Sequence, residues 1–132
     1  MLLHATALYA GILALLLMYL SFGVIKLRKS ARVSIGDGGD ETLKRAMRVQ
    51  ANCAEYVPIS LILIGLVEAT GWTLWLVHGL GIALVAGRVL HAIGLGAGDA
   101  DFTYRIRGMQ LTFGVIATGA ALNLIGFLWG LF

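Results

Sequence analysis

The chain has 132 residues, the size of one domain, yet 59% of them are apolar and 13% are charged, against ~25% charged in an average soluble domain. Mean hydropathy is +0.89, which excludes a disordered chain, a disulfide scaffold and an ordinary cytosolic enzyme and leaves a small integral membrane protein. The net charge of +3 says less than where the charges lie.

Leu2 to Ile25 contains no Asp, Glu, Lys or Arg and is longer than the ~20 apolar residues a span needs. It lacks the basic start of a secretory signal and exceeds a signal's apolar core of ~7–15 residues. It is therefore expected to stay as a first helix, followed by Lys26, Arg28, Lys29 and Arg32. Ser34 to Thr42, SIGDGGDET, is a polar, glycine-rich loop. Its Asp37, Asp40 and Glu41 lack the spacing of a calcium loop, and Asp40 or Thr42 is placed to cap the next helix.

Leu43 to Thr70 predicts a second helix, polar in its first half and apolar in its second. Gly71 ends it, and Trp72 and Trp75 suit an interfacial aromatic belt. Glu68 lies near this end, within reach of water. A third helix is predicted from Thr73 to Leu95, with Arg88 as its one charge. The loop Gly94 to Asp101 follows, with Asp99 and Asp101 as loop or cap residues. Phe102 to Phe132 predicts a fourth helix, with Arg105 and Arg107 at its start. Its Gly114, Thr118, Gly126 and Gly130 form a stripe of small residues suited to bundle packing.

Residues 1–132 are thus expected to form one all-α domain, a four-helix transmembrane bundle. All ten Lys and Arg lie toward the side of the two loops. By the positive-inside rule those loops, after helices 1 and 3, are cytoplasmic and both termini are outside.

Polar groups at membrane depth normally face a protein interior or a watered cavity. Arg45, Arg48, Asn52 and Glu55 recur at steps of three and four and share one face of helix 2; Gln50 and Tyr56 flank it. Two turns, ~10 Å, separate Arg48 from Glu55, too far for a direct pair. Each therefore needs another partner: a neighbouring helix or a ligand. Four arginines, Arg48, Arg88, Arg105 and Arg107, face one carboxylate, so a ligand with two carboxylates and one amine would balance the set. His91 lies one helical step from Arg88 and is either a structural residue or a ligand contact. Cys53 reads as a small buried residue rather than a nucleophile. It excludes an intrachain disulfide, and neither a metal site nor a nucleic-acid partner is expected.

The run Arg48-Val-Gln50-Ala-Asn52-Cys-Ala-Glu55-Tyr56-Val-Pro58 resembles the helix-2 signature of the MAPEG family, the membrane-associated proteins of eicosanoid and glutathione metabolism. Arg28 to Ser34 resembles the basic loop of its leukotriene-forming members, Arg88-x-x-His91 its helix-3 element, and Arg107-Gly108 the start of its fourth helix. The resemblance implies a homotrimer with glutathione as co-substrate in a cleft between subunits; separately, a bacterial inner membrane is the expected location. It implies that Arg48, Asn52, Glu55 and Tyr56 hold glutathione, with Arg28, Gln50 and His91 assisting. Arg107 would polarise the thiol toward a small hydrophobic electrophile in a transferase, or toward a lipid hydroperoxide in a peroxidase. The leukotriene-forming members have an arginine where Thr112 stands, and the prostaglandin-forming members a tyrosine where Leu111 stands. Neither eicosanoid specialisation is therefore supported, and a non-catalytic glutathione-binding or scaffolding protein of the same fold is the alternative.

Overall fold

The computed structural model describes residues 3–96 and 102–130, in which every regular element is helical. The helices are α1 (His4–Ala31), α2 (Glu41–Ala69), α3 (Leu74–Gly96) and α4 (Phe102–Leu128). All four are long and apolar enough to cross a membrane.

Three boundaries depart from expectation. Helix α1 continues past Ile25 and carries Lys26, Arg28 and Lys29 on its last turns. Lys and Arg are good helix formers and suit the negative end of the helix dipole, so the helix outlasts its apolar stretch. It closes at Arg32, which takes φ 55°; there the Val33 N–H donates to Arg28 O at 3.1 Å. Helix α3 runs through Gly94 to Gly96 rather than giving way to a loop. Helix α4 ends at Leu128 rather than Phe132, with Gly130 turning at φ 68°. Asp99 and Asp101, expected in a loop or cap, lie outside the described residues.

Helix α2 starts as its sequence suggests: the Asp40 carboxylate accepts from the Leu43 N–H at 3.0 Å. At its far end the Thr70 hydroxyl donates back to Leu66 O at 3.0 Å, and Gly71 at φ 82° makes the turn. No Cβ fits that conformation cheaply.

Contacts between helix ends make consecutive helices antiparallel. The Arg28 guanidinium at the end of α1 lies 3.4 Å from Met47 Sδ near the start of α2. At the opposite end, the Glu68 carboxylate accepts from the Ala5 N–H at 3.0 Å, the Thr6 N–H at 2.8 Å and the Thr6 hydroxyl at 2.6 Å. Leu3 has no side-chain oxygen to cap α1, so a carboxylate from α2 satisfies the first-turn amides instead. Glu68 stays partly exposed, within reach of water, while its carboxylate also holds this turn. Trp72 in the α2–α3 turn stacks on Trp129 after α4, with ring centroids 6.3 Å apart.

Helices α3 and α4 come into close contact where Gly87 meets Gly108. A Cβ on Gly108 would sit 2.6 Å from both Gly87 O and the His91 amide nitrogen, so only glycine allows this crossing. The buried side of α4 is Gly108, Thr112, Val115, Gly119 and Gly126. Of the small-residue stripe read from sequence, Gly126 lies on this side, whereas Gly114 and Thr118 are rotated away from it. Thr118 is exposed, and a Cβ on Gly114 would meet nothing within 4 Å. The apolar core runs through the middle of the bundle, with Leu13, Ile64, Val67, Val77 and Leu84 fully buried.

Candidate functional site

The 3.6-residue period sets Arg48, Asn52 and Glu55 on one face of α2, turned toward α3 and α4. Arg48, Asn52, His91 from α3 and Arg105 from α4 together line an open pocket of about 150 Å³. Glu55 joins them: its Oε1 lies 4.0 Å from Arg48 Nη1. The expectation that these two could not meet is thus corrected. Two long flexible side chains lean toward each other across two turns, although both stay more than half exposed, so the pair holds little energy and is open to a ligand.

Behind the pocket, Arg88 is 2% exposed. Its Nη1 donates to Asn52 Oδ1, its Nε to Thr112 Oγ1 at 3.1 Å, and its Nη2 faces Met109 Sδ at 3.4 Å. Its guanidinium carbon also lies 5.9 Å from the centre of the Tyr56 ring, within cation–π range. The Tyr56 ring in turn packs edge-on against Phe113, 5.5 Å away. None of these partners carries a negative charge. A buried guanidinium whose partners among the described residues are neutral leaves the pocket in front of it electropositive. With Oδ1 held by Arg88, Asn52 offers its Nδ2 donors to the pocket.

Thr112 explains one departure from the leukotriene-forming pattern. It is fully buried, accepts from Arg88 and donates to Gly108 O at 2.9 Å. An arginine there would set a second guanidinium against Arg88 in the core. Leu111, one residue before, is 37% exposed at the groove between α3 and α4.

Three sequence-nominated residues lie elsewhere in the protomer. Arg28 donates to Gly36 O at 2.8 Å and to Ser34 O at 3.3 Å, holding the loop after α1. The Gln50 amide reaches Ser21 of α1 at 3.5 Å, on the side of α2 away from Arg48. Arg107 lines a separate groove of about 510 Å³ between α3 and α4, with Leu80, Leu90, Leu111 and Gly114. Arg105 and Arg107 are two residues apart, ~200° around the helix, and only Arg105 borders the polar pocket. Cys53 is buried in the core cluster, as its small size suggested. Among the described residues no group of His, Cys, Asp and Glu could hold a metal ion.

The model of the MAPEG family matches residues 6–125. The inner membrane protein YecN of Escherichia coli strain K12 is 40% identical over 126 residues, which cover 96% of this chain and 95% of that protein. YecN of Escherichia coli O6:H1 matches to the same extent.

Proposed function

Because the chain belongs to the MAPEG family, we propose that this multi-pass integral membrane protein binds glutathione and acts as a glutathione transferase in a homotrimer. The observation that carries this reading is the pocket itself. Arg48 and Arg105 border it, Arg88 lies buried behind it, and one carboxylate, Glu55, faces Arg48. Glutathione has two carboxylates and one ammonium group. The arginines and the Asn52 amide suit the carboxylates, and Glu55 suits the amine.

Arg28 and Gln50 sit on the α1 side of the protomer, away from Arg48 and Asn52. A single chain does not unite these two sets; a neighbouring subunit contributing its α1 side would. This supports a site between subunits.

In the reaction, the glutathione thiol loses its proton and the thiolate attacks an electrophilic carbon. The S–C bond forms as the carbon–halide bond breaks and halide leaves. A free thiol with pKa ~8.5 is only a few per cent ionised at pH 7. A permanently charged guanidinium beside it favours the thiolate. The role assigned by motif to Arg107 passes here to Arg105, the arginine of that pair that borders the pocket. By charge asymmetry the two loops are cytoplasmic and the Trp72 turn is outside.

The test is thermal stabilisation of the detergent-solubilised protein by glutathione, followed by turnover with an aromatic halide. Stabilisation with turnover supports the transferase. Absence of stabilisation at millimolar glutathione overturns it. A second reading, a non-catalytic glutathione binder, draws on Thr112 and Leu111. The first is engaged with Arg88 and Gly108, and the second has no hydroxyl. Stabilisation without turnover would select it.

A further inference from the structure

We propose that the groove between α1 and α3 is a binding site for an anionic glycerophospholipid, seated with an acyl chain in the groove and its phosphate between Lys26 and Lys29. The groove holds about 450 Å³ and is lined by Tyr19, Phe22, Gly23 and Lys26 of α1, Ala46 of α2 and Ala92 of α3. Leu20 and Val49 complete its walls, which are aliphatic or aromatic apart from Lys26, the cation among them. A Cβ on Gly23 would meet nothing within 4 Å, so the groove is open at its middle.

The chemistry changes along α1. Tyr19, Phe22, Gly23, Lys26, Lys29 and Ser30 succeed one another at steps of three and one, which keeps them on one face. That face is apolar and aromatic within the span. It ends in two ammonium groups and a hydroxyl at the basic end of the bundle, one turn apart, with Cβ atoms ~5–6 Å from each other. Lys26, Lys29 and Ser30 are all exposed. Among the described residues neither lysine pairs with a carboxylate, whereas Lys44 has Glu41 at 3.4 Å. An apolar channel ending in two unpaired cations at headgroup depth matches a lipid with a negatively charged head and does not select a zwitterionic one.

The groove is also open to lipid in the proposed assembly. Arg28 and Ser21 lie on the flank of α1 opposite Tyr19 and Lys26, ~180° around the helix, and that opposite flank is the one assigned to the neighbouring subunit. The proposal rests on the glutathione reading for this point alone.

The experiment is native mass spectrometry of the purified protein, titrated with phosphatidylglycerol and with phosphatidylethanolamine of the same acyl chains. Phosphatidylglycerol should be retained preferentially. A lysine at a membrane surface contributes about fivefold to anionic lipid affinity, so Lys26→Gln/Lys29→Gln should lower phosphatidylglycerol retention about 25-fold, to the level of phosphatidylethanolamine. Gly23→Leu, which fills the groove and leaves both charges, should also lower it. Equal retention of the two lipids by the wild type, or no loss in the double variant, would leave the lysines as topology signals only and overturn the site. Disulfide-linked chains from Gly23→Cys in a Cys53→Ser background would place another copy in the groove and overturn it too. Glutathione stabilisation measured on the same samples separates the two ideas. Lipid selectivity lost with stabilisation intact sinks this site alone, and the converse sinks the glutathione reading alone.

Discussion

Arg88 and Asn52 are 36 residues apart in the chain, and the guanidinium of the first holds the side-chain oxygen of the second. This contact sets which end of the Asn52 amide meets the pocket. Arg88→Lys keeps the charge, but an ammonium is a single point that cannot serve Asn52 and Thr112 together. Glutathione affinity should fall about tenfold in Arg88→Lys, read by calorimetry in detergent, with helical content unchanged. Wild-type affinity in that variant would show that Arg88 does not position Asn52.

Arg48→Ala and Glu55→Ala should each weaken glutathione binding at least tenfold, since losing one partner of a desolvated charge contact costs ~2–5 kcal/mol. Cys53→Ser should change affinity little, because Cys53 lies in the core cluster. Equilibrium dialysis with labelled glutathione measures all three, and the reverse order of effects would invert the roles.

The two arginines at the start of α4 separate by spectroscopy. The ultraviolet thiolate band of bound glutathione, titrated against pH, should appear at lower pH than for free glutathione. Arg105→Leu should shrink that shift, while Arg107→Leu should leave it and instead weaken the KM for hydrophobic electrophiles. A shift lost only in Arg107→Leu would return the role to Arg107.

Packing makes a prediction free of ligands. Gly108→Ala must push α3 from α4, because its Cβ would collide with backbone atoms of Gly87 and His91. It should destabilise the detergent-solubilised protein by about 1–3 kcal/mol. Gly114→Ala meets open space and should be silent. Equal melting temperatures for the two variants would refute the crossing.

Removing the Glu68 carboxylate strands the amides of Ala5 and Thr6. Glu68→Ala should cost about 1–3 kcal/mol, and hydrogen exchange in the first turn of α1 should speed up. Unchanged exchange there would show that the carboxylate does not hold that turn.

The sequence carries the local part of this site. Arg48, Asn52, Glu55 and Tyr56 are read onto one helical region from their spacing alone, since periodicity is a local property. The partners of Arg88 are not legible that way. Asn52 and Thr112 come to it from two other helices, and no spacing encodes that meeting. The same holds for Glu68, whose use depends on where α1 begins. Hydropathy located all four spans but misjudged the end of α1, because it measures comfort in lipid and not the ability to stay helical. The small-residue stripe on α4 misled at Gly114 and Thr118 for a related reason. Steps of four select a face without saying which face turns inward, and Gly108 and Gly119, not Gly114 and Thr118, do so.

The Glu68 contact also bears on how the protein is made. The amide of Thr6 is made before the group that satisfies it, which lies 62 residues further along. Inserted alone, α1 would carry bare N–H donors at its leading end. It is completed only when α2 has been threaded back beside it. The amides of Ala5 and Thr6 thus gain their carboxylate only when the α1–α2 hairpin forms, and a chain interrupted before Glu68 would leave that turn unsealed.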